Sequence, residues 1–269
     1  MKRDASNEAL KSFYESAYAS GESNTFTFFE NGKHVSEDHP TALTLCDWKG
    51  KKVLDVGCGT GMLVRNIAAL GAFHVHGIDY AVHAIEEANK IEHPVNSTYE
   101  QADAMEYQTK ERYDVVITLG TAEHLDDPAL FLRKMASFLN SSGEIILACP
   151  HFLNPRGYVW MALAKLLNVP MSLSDLHFIH PWDIEVWAKS AGLKASLVTT
   201  VDKDWACGDR LIRDFNKRLR NALRDANLSN TGVDSYISYL EELVNYLGKD
   251  GAQANIDGAT AFYRLTQSE

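Results

Sequence analysis

The chain has 269 residues, 45% of them hydrophobic and 23% charged, with a formal charge of −10. That length suits one sizeable α/β core with appended helices and leaves little room for two independent domains. The acidic balance argues against a general attraction to DNA, RNA or anionic lipid, which recruit basic patches, and favours a small-molecule partner.

From the N-terminus, Leu10, Phe13, Tyr14 and Tyr18 recur at helical spacing over Glu8 to Tyr18, and Ala42 to Trp48 reads as a second short helix. Lys52 opens a regular alternation. Strands are expected at Val53 to Val56, Val75 to Ile78, Ser97 to Gln101, Tyr113 to Leu119 and Glu144 to Cys149. Helices are expected at Thr60 to Leu70, Val82 to Ile91 and Pro128 to Leu139. This order predicts a parallel sheet with helices on both faces, and the nearly continuous apolar runs at Asp114 to Leu119 and Glu144 to Ala148 suit strands buried on both sides. The helix at Pro128 is the best specified. Asp127 caps it, Pro128 takes its first position, and Phe131, Leu132, Met135, Phe138 and Leu139 line one face before Asn140-Ser141-Ser142-Gly143 stops it.

Beyond Cys149 the pattern gives a helix at Tyr158 to Leu167, a loop at Val169 to Ile179, a helix at Trp182 to Ala191 opened by Pro181, and a strand at Leu193 to Val201. Asp209 to Leu247 reads as two amphipathic helices split near Leu228-Ser229-Asn230-Thr231-Gly232, and Thr260 to Leu265 as a final strand. The expected organisation is a helical preface over residues 1–50, a core over 51–202 with an insertion at 151–182, and a helical extension with the last strand over 203–269. Cys46, Cys58, Cys149 and Cys207 form no close pair, which suits a reducing compartment. With no signal-peptide core and no spanning run, a cytoplasmic chain without membrane contact is the expectation.

The chemistry concentrates in Val53-Leu54-Asp55-Val56-Gly57-Cys58-Gly59-Thr60-Gly61. An apolar strand runs into three glycines within five residues, so a ligand can lie directly against the main chain at the start of a helix. An ordinary strand-to-helix turn is the alternative. Asp79, closing His76-Gly77-Ile78-Asp79, falls at the spacing where an acid receives ribose hydroxyls in a nucleotide-binding βαβ unit. A dehydrogenase fingerprint would place Gly-x-Gly-x-x-Gly at this turn, and Gly57 to Gly61 does not match it.

These residues together resemble the class I S-adenosylmethionine-dependent methyltransferases, most closely the small-molecule branch that includes ubiquinone-type O-methyltransferases; the resemblance covers roughly Lys52 to Leu193. It implies a Rossmann-like, seven-stranded, mostly parallel sheet; the N-terminal helices and the helical insertion before the last strand come from the residue pattern, and the insertion, Asp209 to Leu247, is the largest departure from a minimal family domain. It also implies S-adenosylmethionine as methyl donor, with S-adenosylhomocysteine as product. Asp55 and the backbone at Gly57, Cys58, Gly59 and Gly61 would hold the methionine tail, Asp79 and Tyr80 the ribose, and Asp103 and Ala104 the adenine, with Leu119 completing the set. The resemblance implies methyl transfer to a small molecule, with oxygen the favoured acceptor, because no Asn-Pro-Pro-Tyr motif of nucleic-acid amino methyltransferases follows Leu119; transfer to nitrogen of a small molecule, or cofactor binding without catalysis, are the alternatives.

For catalysis His124 is the first candidate base, with His151, His177 and His180 behind it; the opposing reading of His124 is a turn histidine that packs Leu125 down. Glu123 has the same two readings. Acceptor-side candidates are Tyr14, His124, Tyr158, His177 and Trp182, with Trp160 and Met161 divided between pocket wall and helix core. His177, His180 and Asp175 lack a further clear ligand, so no metal is assigned. The basic run Arg210, Arg213, Lys217, Arg218 and Arg220 is interrupted by Asp209 and Asp214 and reads as a solvated helix face. The amphipathic helices over Asp209 to Leu247 have two roles open, capping the substrate or pairing two copies into a homodimer.

Overall fold

Apolar runs flanked by glycine and helix caps become the strands and helices of a doubly wound sheet. The computed structural model describes residues 37–167, 177–247 and 258–267; the expected helix at Glu8 to Tyr18, with Tyr14, lies outside them, as does Asp175. In chain order the elements are α1 (Asp38–Thr44), β1 (Lys52–Val56), α2 (Met62–Ala69), β2 (His74–Asp79), α3 (Val82–Lys90), β3 (Ser97–Gln101) and β4 (Tyr113–Leu119). A 3-10 turn (Ala122–His124), α4 (Pro128–Ser137), β5 (Leu139–Pro150), α5 (Pro155–Leu167), α6 (Pro181–Ser190) and β6 (Leu193–Val201) follow. The chain ends with α7 (Lys203–Cys207), α8 (Asp209–Asp225), α9 (Val233–Leu247) and β7 (Thr260–Gln267). The seven strands lie in the order β3-β2-β1-β4-β5-β7-β6. Strands β1 to β5 pair in parallel, so their carboxyl ends share one edge.

Most expected elements are present, and the differences have local causes. The first helix starts at Asp38 rather than Ala42, because Pro40 falls in the first turn, where its missing N–H costs nothing. Trp48 lies beyond that helix, buried, with Nε1 donating to the Leu43 carbonyl at 2.8 Å. Helix α2 begins two residues later than expected because Gly61, its N-cap, is left-handed at φ 76°. Asp127 caps α4 by accepting from Leu130 N at 2.8 Å, and Phe131, Leu132 and Met135 are buried as expected. The larger departure comes next. Strand β5 begins at Leu139, paired with Tyr113, and Asn140 to Gly143 form an irregularity within the strand before Val115 meets Glu144. Asn140 shapes it by accepting from Ser142 N at 3.0 Å while its amide donates to Asp114. The short α7 was not anticipated.

Two compact units divide the described residues, the first comprising 37–149, 181–197 and 263–267 and the second 150–167, 177–180, 198–247 and 258–262. In the first unit the core is the sheet and its helices, with Leu54, Ile67, Ile78, Ile117, Phe131 and Ile145 fully buried. The second unit has a core of its own. Trp160 is fully buried with its ring 5.4 Å from Phe215, and Phe152, Leu211, Leu219, Ile237 and Leu240 close around them. Met161 packs against the same cluster, so both residues of the Trp160-Met161 pair serve the helical core. Arg210, Arg218 and Arg220 of the basic run on α8 meet carboxylates: Asp204 takes Arg210 at 3.1 Å, Asp214 takes Arg218 at 3.4 Å along with Arg156 of α5 at 3.2 Å, and Asp234 takes Arg220. No helix among the described residues is long and apolar enough to cross a membrane.

Candidate active site

The register sets one row across the middle of the sheet: Asp55 of β1 lies beside Gly77 of β2 and Ile117 of β4, and Gly77 lies beside Tyr99 of β3. Gly77 has to be small. A Cβ there would meet Val64 Cγ2 at 2.8 Å and Cys58 Sγ at 2.9 Å, so glycine lets α2 and the turn close on β2.

At the carboxyl end of β1, Gly57, Gly59 and Gly61 all have positive φ (81°, 52° and 76°), the left-handed conformations glycine adopts without a steric penalty. Gly57 N and Cys58 N donate to the Ile78 carbonyl at 2.9 and 3.0 Å, and Gly61 N donates to the Cys58 carbonyl at 2.9 Å. Asp79, at the end of β2, is buried and holds the turn from the other side: Oδ2 accepts from Gly59 N and Oδ1 from Ala81 N, each at 2.9 Å. Two side chains missed by sequence reasoning complete the packing. A Cβ on Gly57 would strike Thr121, whose Oγ1 lies 3.3 Å from the Val56 carbonyl, and a Cβ on Gly61 would strike the Tyr99 ring. Only the demand for glycine at 57 and 61 hinted at facing side chains, and it did not say which.

Asp55 is 2% exposed and its Oδ2 has no hydrogen-bond partner among the described residues. Burial, and then the Asp79 charge, push its carboxyl up to about 8. Burial also raises the Cys58 thiol, as do Asp55 and Asp79, so it stays a neutral thiol at neutral pH.

Asp103 follows β3 and accepts from Met105 N at 2.8 Å, the geometry of a turn-capping aspartate; Ala104 sits within that turn. Tyr80 is half-buried beside Asp79, and its carbonyl accepts from Gln101 Nε2 at 3.0 Å. Leu119 ends β4 beside Ala148, and Gly120 N donates to the Ala148 carbonyl at 3.0 Å. The 3-10 turn follows, with Glu123 buried at 3% exposure and His124 partly exposed at its end. Glu123 is among the groups that raise the buried Cys149 thiol, behind burial itself, which puts its carboxyl near the carboxyl end of β5.

The remaining candidates divide between the units. Trp182, in the first, is 53% exposed on α6. The second unit holds His151, Tyr158, His177 and His180. His151 is 2% exposed and its N–H donates to the Ala259 carbonyl at 2.7 Å; Tyr158 is 62% exposed on α5. Phe152 lies 5.4 Å from the Phe178 ring and 6.0 Å from the His180 ring. Asn154, which sequence reasoning passed over, organises this segment. Its amide nitrogen donates to the His151 and Gly258 carbonyls at 2.9 and 2.8 Å, and its oxygen accepts from Gly157 N at 2.8 Å. Among the described residues, no three histidine, cysteine or acidic side chains gather in a way that would hold a metal ion.

Comparison with known proteins meets this geometry at the same segment. A family model described as a methyltransferase domain matches residues 31–198, more than half of the chain. A ubiquinone biosynthesis O-methyltransferase of Pseudomonas fluorescens is 36% identical over 154 residues, 54% of this chain and 65% of that protein. One of Aeromonas salmonicida is 34% identical over 152 residues, 54% of this chain and 63% of its own. The similarity thus spans less than two thirds of these relatives. Among solved structures, the magnesium protoporphyrin IX methyltransferase of Synechocystis PCC 6803, with bound S-adenosylhomocysteine, superposes with a TM-score of 0.60 at 14% identity, covering 96% of this chain and all of that one. A phosphoethanolamine N-methyltransferase of Haemonchus contortus gives a TM-score of 0.57 at 16% identity, covering 98% of this chain and 61% of that one. At such identities these two speak for the fold alone. From the matched domain, the strand order and the glycine turn, the chain belongs to the methyltransferase domain family, in its class I, S-adenosylmethionine-dependent form.

Proposed function

We propose that the chain transfers the methyl group of S-adenosylmethionine to an oxygen of a small-molecule acceptor. The observation that carries this reading is the turn at the carboxyl edge of β1, where three left-handed glycines run beside the buried carboxylates of Asp55 and Asp79. Open α/β sheets take their ligands at that edge. The residues present fit the donor. Asp55 Oδ2 is a buried acceptor without a partner, suited to a cationic methionine tail beside Gly57, Cys58, Gly59 and Gly61. Asp79, whose carboxylate stands at the carboxyl edge of β2 and accepts from Gly59 N and Ala81 N, is assigned the ribose hydroxyls, next to Tyr80. Asp103 and Ala104 are assigned to adenine, and Leu119 to the wall at the end of β4.

The bound donor supplies a methyl group on a sulfonium, open to in-line displacement. The protein's part is alignment, which by itself lowers a bimolecular barrier by several kcal/mol. His124, at the end of the 3-10 turn, is assigned the acceptor's hydroxyl proton. On the second unit His151, His177, His180 and Tyr158 stand as candidates for the acceptor side, as does Trp182 on the first. Support for oxygen comes from the relatives at 34–36% identity, which are ubiquinone biosynthesis O-methyltransferases. Calorimetry with S-adenosylmethionine, followed by a panel of phenols, carboxylic acids and amines scored for S-adenosylhomocysteine release, tests the reading. Binding with turnover on hydroxyl or acid acceptors is expected. Turnover on amines alone would overturn the oxygen assignment, and failure to bind would overturn the site.

A further inference from the structure

We infer that Asp55 carries a proton in the free protein and releases it to solvent when a cationic methionine tail occupies the turn, so that cofactor binding is a proton exchange. The inference rests on the cofactor site proposed above. Its basis is the unequal treatment of two carboxylates on one sheet face. Asp55 pairs with Gly77 across β1 and β2, and Asp79 lies two residues beyond Gly77, so both side chains leave the same face near the carboxyl edge. Asp79 is held by two backbone N–H donors, the arrangement that favours a charged carboxylate. Asp55 is as deeply buried, and its Oδ2 has no donor among the described residues. Two buried carboxylates this near to each other do not both ionise readily, and the proton settles on the one without donors.

The groups around Asp55 leave that assignment intact. On the turn, the Cys58 thiol is kept neutral chiefly by burial. On α2, Arg65 directs Nη1 to the Thr60 carbonyl at 2.7 Å. On β3, the Tyr99 hydroxyl lies 3.4 Å from the Gly61 carbonyl, and burial raises that phenol. Burial and Asp79 are the influences acting on Asp55 itself, and they place its titration at about 8. An ammonium beside Oδ2 supplies the missing donor and opposite charge, which pulls that value down. Between the lowered value and neutral pH, each binding event releases close to one proton, so affinity rises with pH, by up to about tenfold per unit. The tail's own α-amino group titrates at about 7.7–8.0, so the release is offset where Asp55 itself titrates, at about 8, and affinity falls beyond that.

The test is calorimetric titration of the full chain with S-adenosylmethionine, S-adenosylhomocysteine and adenosine, each in two buffers of different ionisation enthalpy. Near neutral pH, both ligands that carry the amino-acid tail should release close to one proton, whereas adenosine, which lacks the tail, should release none. Well above about pH 8, where the tail's amine is deprotonated in solution, release should give way to proton uptake, and Asp55→Asn should show no release near neutrality. Binding of S-adenosylmethionine with no buffer dependence near neutrality overturns the exchange and leaves the cofactor site standing. Equal release with adenosine also overturns it, by removing the tail as the cause. Absence of binding by all three overturns the site and the exchange together.

Discussion

The backbone N–H of Gly59 donates to Oδ2 of Asp79 at 2.9 Å, while Oδ1 of the same carboxylate takes Ala81 N–H at 2.9 Å. One side chain at the end of β2 therefore fixes the middle of the β1 turn and the start of α3. The contact spans 20 residues of sequence, and it makes the conformation of the glycine turn depend on the second strand of the motif.

Asp79→Ala should cost stability and donor affinity together. Two backbone N–H groups lose their acceptor, at about 1–3 kcal/mol for each that stays buried. Chemical denaturation should show a lower midpoint, and calorimetry a weakened or absent S-adenosylmethionine signal. Unchanged donor affinity in a folded Asp79→Ala variant would remove Asp79 from the cofactor site.

Gly57→Ala introduces two separable penalties. A left-handed alanine costs roughly 1–2 kcal/mol, and the new methyl collides with Thr121. Thr121→Ala in the same chain removes the collision and leaves the backbone strain. The double variant should therefore regain part, and only part, of the thermal stability lost by Gly57→Ala. Strict additivity of the two single changes would mean that Thr121 does not press on the turn.

What was legible in the sequence is what short-range chemistry specifies. Gly57 to Gly61 after an apolar run, Asp127 before Pro128, and Gly232 between two amphipathic stretches each announce a local geometry. The unread parts depend on distant partners. Asn140 to Gly143 has the composition of a helix stop, yet Leu139 is already in the sheet because Tyr113 lies opposite it, 26 positions earlier in the chain. Tyr99 and Thr121 carry no motif; their place against Gly61 and Gly57 follows from sheet order. Asn154 matters through carbonyls at His151 and Gly258, more than a hundred residues apart, which no local pattern reveals.

Asp55→Asn should change how stability depends on pH. In the free folded protein Asp55 titrates at about 8, far above an exposed aspartate, so the folded state holds a proton that the unfolded state has lost. Wild-type stability from this group is full below the unfolded value near 4 and declines as pH rises to about 8. Asparagine does not titrate. Its stability relative to wild type should rise between about pH 5 and pH 8, read from urea midpoints at matched ionic strength. A constant difference across that range would mean Asp55 is ionised throughout.

His124→Gln should separate catalysis from cofactor binding. The side chain follows the 3-10 turn rather than the glycine turn, so donor affinity should be unchanged. Loss of a general base lowers turnover by about a hundredfold or more, seen as a fall in kcat with any acceptor that the panel identifies. Wild-type turnover would return His124 to the role of a turn residue packing Leu125.

Asn154→Ala should loosen the second unit at its first turn of helix. Asn154 is 2% exposed and joins three backbone groups, the carbonyls of His151 and Gly258 and the N–H of Gly157. Each bond is worth about 1 kcal/mol net, and a buried group left without a partner costs more. Gly157 cannot compensate by shifting, because even a Cβ there would collide with the Phe152 backbone. Asn154→Asp tests the direction of the bonds: it keeps an acceptor for Gly157 N but removes both amide donors and turns a carboxylate toward two carbonyls. It should therefore be at least as destabilising as alanine, despite its closer shape. Hydrogen exchange at Gly157 and Tyr158, compared with exchange in β1 and β4, should show the loss concentrated at the start of α5. Equal protection in wild type and both variants would mean that the helix start holds without this side chain.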